Sequence, residues 1–280
     1  MTERKSHVEL KKKASRLKLT FTRDHLDEMI QQAADAKMTP FEVLDFFLSR
    51  ECEQRNANHY KQAMQVAHFP CVKTLEGFDF SKQPSINPGV IRELEKLDWI
   101  DAGENVALFG APGVGKTHLA IAYGRLAVER GYSVRFYSAA NLMALLEKAS
   151  RDGTLDVKLK ELSKASLLIV DEIGYLPYTP DVARLFFLLV ARRYEKKSIL
   201  ITSNRPPSEW KLIFADATAT TAILDRLLHH CTAMTIRGDS YRLLEQKRAS
   251  LRRKQAIGGD AAAVDDKTEA LESNVSDTKH

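Results

Sequence analysis

The chain has 280 residues, enough for an α/β core and a smaller accessory domain, and 44% of them are hydrophobic, which is typical of a globular protein. The formal net charge of +5 weakly favours nucleic acid as a partner. No apolar run approaches membrane-spanning length and the charged N-terminal segment lacks a signal-peptide core, so we expect no membrane association. Three widely spaced cysteines, Cys52, Cys71 and Cys231, predict a reduced, cytoplasmic setting.

Residues 1–70 are predicted to form a helical N-terminal domain. Asp24 to Lys37 has amphipathic spacing. The segment Thr39-Pro40-Phe41-Glu42 then supplies an N-cap, a first-turn proline and a capping-box acid for a second helix from Val43 to Arg55. Turn residues between Phe69-Pro70 and Pro88-Gly89 predict a linker over residues 71–90, which leads into a core over residues 91–255.

A phosphate-binding loop follows the first strand of this predicted core. Asn105 to Phe109 is an apolar run of strand length, and Thr117 to Arg130 has helical apolar spacing. Between them the chain matches the G-x-x-x-x-G-K-[ST] pattern with Gly110, Ala111, Pro112, Gly113, Val114, Gly115, Lys116 and Thr117. Glycines let successive N–H groups approach a polyphosphate, Lys116 would meet the β- and γ-phosphates, and the Thr117 hydroxyl would bind Mg²⁺.

Two carboxylates end the next predicted strand of the site, Ser166 to Asp171. Parallel strands deliver side chains to a site at their carboxyl ends, so Asp171 is expected to hold the magnesium ion. Glu172 is placed to act as the general base for an attacking water, which favours an ATPase over a kinase. The alternative is a pair of acids that only caps the following segment.

A third strand, Ser198 to Ser203, ends at Asn204. Asn204 could hydrogen-bond the γ-phosphate or the lytic water, or it could simply begin the turn Asn204-Arg205-Pro206-Pro207. We favour the first interpretation because three strands in this order end in polar residues. Phe78 and Phe80 either pack beside a bound adenine or only anchor the linker to the core.

The remaining segments contain charged clusters and no further catalytic motif. A strand from Val134 to Ser138 precedes a helical stretch from Ala139 to Leu162 that is broken at Asp152-Gly153. The run His229-His230-Cys231 suggests a metal site, but consecutive residues rarely converge on one ion, so we assign it a structural role. Basic residues cluster at the N-terminal end in Lys11, Lys12, Lys13, Arg16 and Lys18, and near the other end in Arg242, Lys247, Arg248, Arg252, Arg253 and Lys254. Residues 256–280 are predicted to be a disordered acidic tail.

These motifs resemble those of AAA+ ATPases of the helicase-loader clade, and specifically of the IstB-type helper ATPases of insertion-sequence transposition. The resemblance extends from about Leu17 to Arg248. It rests on Phe78-Asp-Phe80, Gly-Lys-Thr-His118-Leu-Ala120, Leu168-Ile-Val-Asp-Glu-Ile-Gly-Tyr175, Thr202-Ser-Asn204 and Gly238-Asp-Ser-Tyr-Arg242. It implies an α/β AAA+ P-loop core, a parallel sheet sandwiched by helices, behind a small all-α domain.

The resemblance also implies partners and further site residues. ATP and Mg²⁺ are the expected cofactors, and His118 joins the nucleotide-binding residues. The family implies a homo-oligomer on double-stranded DNA that helps a transposase to select its target. An arginine from the neighbouring subunit completes each ATP site in such oligomers; Arg226 is the best match, with Arg205, Arg237 and Arg242 as rivals.

Several alternatives stay open. A DnaC-like helicase loader would share the ATPase motifs and differ in its partner. A P-loop kinase for a small metabolite, or an ATP-gated DNA scaffold, would also contain a phosphate loop. The basic residues Lys148, Arg151, Lys158 and Lys160 either face DNA, as an inserted helical wedge does in loader ATPases, or belong to ordinary surface helices.

Overall fold

The computed structural model describes residues 2–175 and 177–241, with side chains from residue 6 onward. Arg242, the C-terminal basic cluster and the predicted acidic tail lie outside the described residues. The N-terminal part is helical, as predicted, with α1 (Thr2–Arg16), α2 (Thr20–Asp24), α3 (Leu26–Asp35) and α4 (Pro40–Ala67). The amphipathic stretch predicted over 24–37 is interrupted at His25, where α2 ends and α3 begins.

Helix α4 begins at the predicted capping box. The Thr39 hydroxyl accepts a hydrogen bond from the Glu42 backbone N–H at 3.4 Å, and the Glu42 carboxylate accepts one from the Thr39 N–H at 2.7 Å. The helix continues beyond the predicted end at Arg55 and reaches Ala67, which is fully buried against the core. Its last turns pack against the core through Ala63, Met64 and Ala67, which explains why a mostly polar sequence stays helical there.

The core is a five-stranded sheet in which all paired strands run parallel. Its strands are β1 (Asn105–Gly110), β2 (Val134–Ser138), β3 (Leu167–Ile173), β4 (Ser198–Ser203) and β5 (Cys231–Ile236). The spatial order is β2-β3-β4-β1-β5, so β4 lies between β1 and β3. The carboxyl ends of parallel strands share one edge, and this order brings the three predicted site segments to neighbouring positions on it.

Helices cover both faces of the sheet. They are α5 (Pro88–Lys96), α6 (Asp98–Asp101), α7 (Lys116–Glu129), α8 (Ala139–Arg151), α9 (Leu155–Lys164), α10 (Pro180–Arg193) and α11 (Ala217–Leu228). In β1, Val106 and Leu108 face the core shared with α4 to α7, whereas Ala107 and Phe109 face the core shared with α8 to α11. Burial on both faces explains why the three central strands β1, β3 and β4 are mostly apolar, whereas the edge strands β2 and β5 include more polar residues.

The predicted strands and the break between α8 and α9 at Asp152-Gly153 are confirmed. Strand β5 was not predicted, because its sequence contains two threonines and no apolar run of strand length. Among the described residues, none of the helices is long and apolar enough to span a bilayer.

A buried arginine joins three core elements. Arg193, at the end of α10, is fully buried, and its guanidinium donates to the carbonyls of Leu162, Ser166 and Ser198 at 2.6, 3.3 and 2.7 Å. Burial lowers the pKa of Arg193 to about 9. The side chain therefore donates hydrogen bonds to carbonyl groups in the last turn of α9, just before β3 and at the start of β4.

We predict that Arg193→Ala destabilises the protein strongly, by more than about 3 kcal/mol, because it removes three hydrogen bonds made by a fully buried side chain and opens a cavity. Its neighbour Arg192 is one-third exposed and pairs with Asp156 on the surface, so Arg192→Ala is a matched control that should change stability little. Urea unfolding followed by circular dichroism measures both. Equal midpoints for the two variants would contradict the assignment.

Candidate functional site

The phosphate loop connects β1 to α7 through glycines in left-handed conformations. Gly110, Gly113 and Gly115 have φ values of 144°, 84° and 101°. A Cβ atom on Gly110 would lie 2.3 Å from the Ile236 carbonyl oxygen, and one on Gly115 would lie 2.5 Å from the Phe78 ring. Both the backbone conformation and the close packing therefore require glycine at these positions.

Lys116 is folded into the loop. Its Nζ donates to the carbonyls of Gly110 and Ala111 at 2.7 and 2.9 Å, and only 8% of the residue is exposed. Thr117 follows in the first turn of α7, so the helix N-terminus and its free N–H groups face the same space as the ammonium. Val114 instead points into the core and is 1% exposed.

The two carboxylates diverge because β3 contains a bulge. The register with β4 shifts by one residue between Val170 and Ile173, and Glu172 adopts a left-handed φ of 64°. As a result Asp171 is buried at 5% exposure while Glu172 is exposed. Bulges commonly redirect side chains beside functional sites, and here the bulge gives two adjacent acids different environments.

Thr202 on β4 holds this bulge in place. Its hydroxyl donates to Asp171 Oδ1 at 2.6 Å and accepts from the Glu172 backbone N–H at 2.8 Å. Thr117 donates to the same Asp171 oxygen at 2.9 Å, which ties the phosphate loop to β3. Burial raises the pKa of the Asp171 carboxyl, although both threonine hydrogen bonds act in the opposite direction.

Asn204 lies immediately after β4, at the same edge. Its Oδ1 is buried and has no hydrogen-bond partner among the described residues. Gly174, which has a φ of 99°, packs beside this oxygen, and a Cβ there would lie 3.4 Å from it. A buried amide oxygen without a donor is unusual in a folded protein and marks a place where a polar group can bind.

These elements surround one cavity of about 510 Å³. The cavity is lined by the predicted residues Pro112, Gly113, Gly115, Lys116, Thr117, His118, Glu172 and Asn204.

Aromatic residues form one wall of the cavity. The ring centroids of Phe78 and Tyr241 lie 5.8 Å apart, and the Phe80 ring lies 4.7 Å from that of Phe78. His118 Nε2 donates to the Thr74 carbonyl at 2.8 Å, and burial lowers the pKa of this imidazole.

A segment after β5 crosses the loop. The Tyr241 backbone N–H donates to the Gly113 carbonyl at 3.0 Å, and its hydroxyl donates to the Asp79 carbonyl. Ser85 Oγ donates to the Arg237 carbonyl at 2.8 Å, and Gln83 Nε2 donates to that of Asp239 at 3.0 Å. The segment before the core and the segment after β5 thus close the cavity together. The sequence motif Gly238 to Arg242 identified this segment, but only the fold places it against the loop.

The candidate arginines on the described part of the chain do not line this cavity. Arg226, on α11, does not line the cavity, and its guanidinium lies 4.8 Å from the Phe187 ring centroid and 6.0 Å from that of Tyr194. Arg205 donates to the Gly174 carbonyl at 3.3 Å and pairs with Glu209. Arg237 is exposed at the end of β5.

Sequence reasoning missed Thr202 and Tyr241 as individual residues of this site. Thr202 was noted only inside the motif Thr202-Ser-Asn204, and a polar residue within an otherwise apolar strand was the available signal. Its contacts with two carboxylate-bearing residues depend on the pairing of β3 with β4, which the sequence did not predict.

The buried carboxyl of Asp171 predicts a gain in stability on neutralisation. Because its pKa is raised in the folded state, the folded protein holds this proton more tightly than the unfolded chain, and stability falls as pH rises through that window. In buffer without Mg²⁺ or nucleotide, Asp171→Asn should raise the melting temperature at pH 7 by about 2–4 °C, for roughly 1 kcal/mol. The gain should disappear below the ordinary aspartate pKa.

Asp45→Asn is the matched control, since Asp45 is exposed on α4. Differential scanning calorimetry between pH 3 and pH 8 measures both variants. A lower melting temperature for Asp171→Asn at pH 7 would contradict the predicted cost of ionising this group.

The chain matches one protein family over most of its length. The family model described as IstB-like ATP binding protein covers residues 12–249. The putative ATP-binding protein of insertion sequence IS21 from Pseudomonas aeruginosa is 46% identical over 243 residues, which are 87% of this chain and 92% of that protein. The putative ATP-binding protein of IS5376 from Geobacillus stearothermophilus is 39% identical, over 83% of this chain and 92% of that one.

Solved structures share the fold. AMPPCP-bound DnaA from Aquifex aeolicus has a TM-score of 0.50 and 23% identity, over 66% of this chain and 57% of that one. DnaI has a TM-score of 0.50 and 20% identity, over 62% of this chain and 94% of that one. This likeness confirms the predicted AAA+ P-loop core. Together with the family match, it shows that the chain belongs to the IstB-like ATP-binding proteins of insertion sequences.

Proposed function

We propose that the protein is a Mg²⁺-dependent ATPase that oligomerises on double-stranded DNA and assists a cognate transposase in target-site selection. The observation that carries the ATPase is the convergence of Lys116, Glu172 and Asn204 on the phosphate-loop cavity, with Asp171 hydrogen-bonded to Thr117 in its lining. The role in transposition rests on relatives that are named as ATP-binding proteins of insertion sequences. The proposed hydrolysis, DNA binding and partnership are separate steps that can be tested separately.

The residues of the cavity fit a nucleotide. Its volume of about 510 Å³ lies within the range of ligand pockets. The glycines give the loop the left-handed backbone that lets its N–H groups approach phosphates, and the Lys116 ammonium and the α7 N-terminus provide positive charge. The unpartnered Oδ1 of Asn204 shows that this polar side chain still has an acceptor to offer.

The same site fits Mg²⁺, which prefers oxygen ligands. The Thr117 hydroxyl and the Asp171 carboxylate are in direct contact and would hold the ion, by themselves or through water. Bound Mg²⁺ neutralises charge on the phosphate oxygens. Glu172 is the exposed acid of the pair and acts as the general base for water, while Asn204 senses the γ-phosphate.

The DNA-binding surface is proposed from charge. Lys12, Lys13 and Arg16 are exposed on α1. On the α8–α9 unit, Lys148 and Arg151 are exposed, whereas Lys158 and Lys160 pair with Glu161 and Asp156. The two residues outside these ion pairs are the better candidates for phosphate contacts, since such contacts give affinity without base preference.

Arg226 is proposed to complete the ATP site of the neighbouring subunit. It does not line the cavity of its own chain, which fits an arginine that acts on the nucleotide of an adjacent protomer. Its guanidinium is held over two aromatic rings on α10 and just after it, which keeps it on the surface. A helicase loader would share all these features, and the names of the relatives favour the insertion-sequence role.

We predict that large complexes form only with ATP, Mg²⁺ and duplex DNA of several helical turns. Sedimentation velocity of the unmodified protein, with ATP or ADP and with or without duplex DNA, measures assembly. Release of inorganic phosphate measures ATP turnover. Lys116→Ala should abolish both, because the loop loses its cation. Glu172→Gln should keep nucleotide and DNA binding but lose turnover by at least about 100-fold, the contribution of a general base.

Lys211→Ala, an exposed lysine away from the cavity, is the control for a simple loss of charge and should behave as the parent. Persistent turnover in Glu172→Gln would contradict its role as base. A parent that stays monomeric with every nucleotide and duplex would contradict the proposed assembly.

Mixing variants tests the trans role of Arg226. Arg226→Ala and Glu172→Gln should each be inactive alone, since each removes one half of every boundary site, and Glu172→Gln still binds nucleotide and DNA and so can enter mixed oligomers. In a random mixture about a quarter of the boundaries pair an intact Glu172 with an intact arginine from the neighbour, so turnover should partly return. Arg205→Ala and Arg237→Ala serve as the matched rivals. Failure of the mixture to recover activity, with either rival recovering instead, would reassign the arginine.

A further inference from the structure

Two chain connections meet at the sheet edge opposite the phosphate loop. One is the turn of residues 194–197, between α10 and β4, and the other is His229-His230, between α11 and β5. Parallel strands start at the same edge, so Glu195 and the two histidines become neighbours although about 35 residues separate them. The sequence suggested His229-His230-Cys231 as a cluster, but the fold replaces Cys231 with Glu195.

The donor atoms of these three side chains lie within reach of one ion. Glu195 Oε1 is 3.5 Å from His230 Nε2 and 3.9 Å from His229 Nδ1, and the ligand atoms of all three lie within 4.8 Å of one another. We propose that Glu195, His229 and His230 form a binding site for a divalent transition-metal ion of the Zn²⁺ type. This site is separate from the proposed magnesium site and does not rest on the proposed ATPase function.

The distances and the donor chemistry favour zinc. Zinc binds imidazole nitrogen and carboxylate oxygen at about 2.0–2.2 Å in a tetrahedron, so neighbouring donors lie about 3.3–3.5 Å apart. The observed separation of 3.5 Å matches this value, and that of 3.9 Å requires only a small side-chain rotation. Two imidazoles select a zinc-like ion over Mg²⁺ or Ca²⁺, which prefer oxygen ligands.

The backbone already fixes the three ligands. The His230 carbonyl accepts from the Asn105 N–H at 2.8 Å, and the His229 N–H donates to the Asp225 carbonyl at 3.0 Å. The turn that carries Glu195 is closed by the N–H groups of Lys196 and Lys197, which both donate to the Arg193 carbonyl at 2.9 Å. Between 51% and 54% of each ligand side chain is exposed, so an ion can enter and retain a water as its fourth ligand.

Tyr194 competes with the proposed ion. Its hydroxyl lies 2.6 Å from His229 Nδ1, too close for both atoms to bind one metal, so an ion that uses Nδ1 must displace this hydrogen bond. The ring of Tyr194 also stacks on that of His229, at 6.0 Å between centroids. Removing only the hydroxyl should therefore strengthen metal binding, whereas a purely structural role of the histidines gives no such effect.

Isothermal titration of Zn²⁺ alone into the untagged full chain, without nucleotide or Mg²⁺, tests the site. The unmodified protein should bind one Zn²⁺ ion. Its affinity should be lost or at least about 10-fold weaker in Glu195→Gln and in His230→Ala, and Tyr194→Phe should bind the ion more tightly.

The matched control is the double variant His59→Ala/His68→Ala, which removes two exposed histidines from the α4 region and should bind Zn²⁺ as the unmodified protein does. Visible absorption after Co²⁺ substitution should report tetrahedral coordination in the unmodified protein, in Tyr194→Phe and in the control, and not in Glu195→Gln or His230→Ala.

Circular dichroism establishes that each variant is folded; Glu195 and His230 are half exposed and Tyr194→Phe removes only a hydroxyl, so we expect no loss of structure. Binding that is equal in the parent, Glu195→Gln and His230→Ala would overturn the proposal. A parent that binds no Zn²⁺, or binding that is lost in the control instead, would also overturn it.

Discussion

Strand β4 separates β1, which leads into the phosphate loop, from β3, which carries the two acids, and hydrogen bonds across it organise the site. The Thr202 hydroxyl contacts both Asp171 and the N–H of Glu172, and Thr117 reaches Asp171 from the loop. The relative positions of the loop and the acids are thus set by a central strand that is buried along its length. A shift of β4 by one residue would remove Thr202 from the bulge and point it to the other face of the sheet.

The bulge in β3 places two adjacent carboxylates in different environments. In a regular strand the two neighbours would point to opposite faces of the sheet. The left-handed Glu172 instead exposes its side chain while Asp171 stays buried. The cost is a strained backbone and a buried carboxyl with a raised pKa, a combination that is common where function competes with stability.

At the opposite edge of the sheet, where the strands begin, a buried arginine connects the elements. There Arg193 satisfies the carbonyls around the starts of β3 and β4, and its own carbonyl closes the turn that presents Glu195. One buried residue therefore supports both the core and the histidine-carboxylate cluster. Because α10 and α11 pack together and Arg226 lies on the rings of Phe187 and Tyr194, this edge is also continuous with the surface proposed to meet a neighbouring subunit.

The sequence by itself determined the elements whose signals are local. Glycine spacing before Lys116 identified the phosphate loop, apolar runs identified β1, β3 and β4, and Thr39 to Glu42 located the start of α4. Tertiary structure alone decided which polar groups meet, because strand order and register are long-range properties that local periodicity does not encode. For that reason the contacts of Thr202, the crossing of Tyr241 over the loop and the approach of Glu195 to His230 appeared only in the fold.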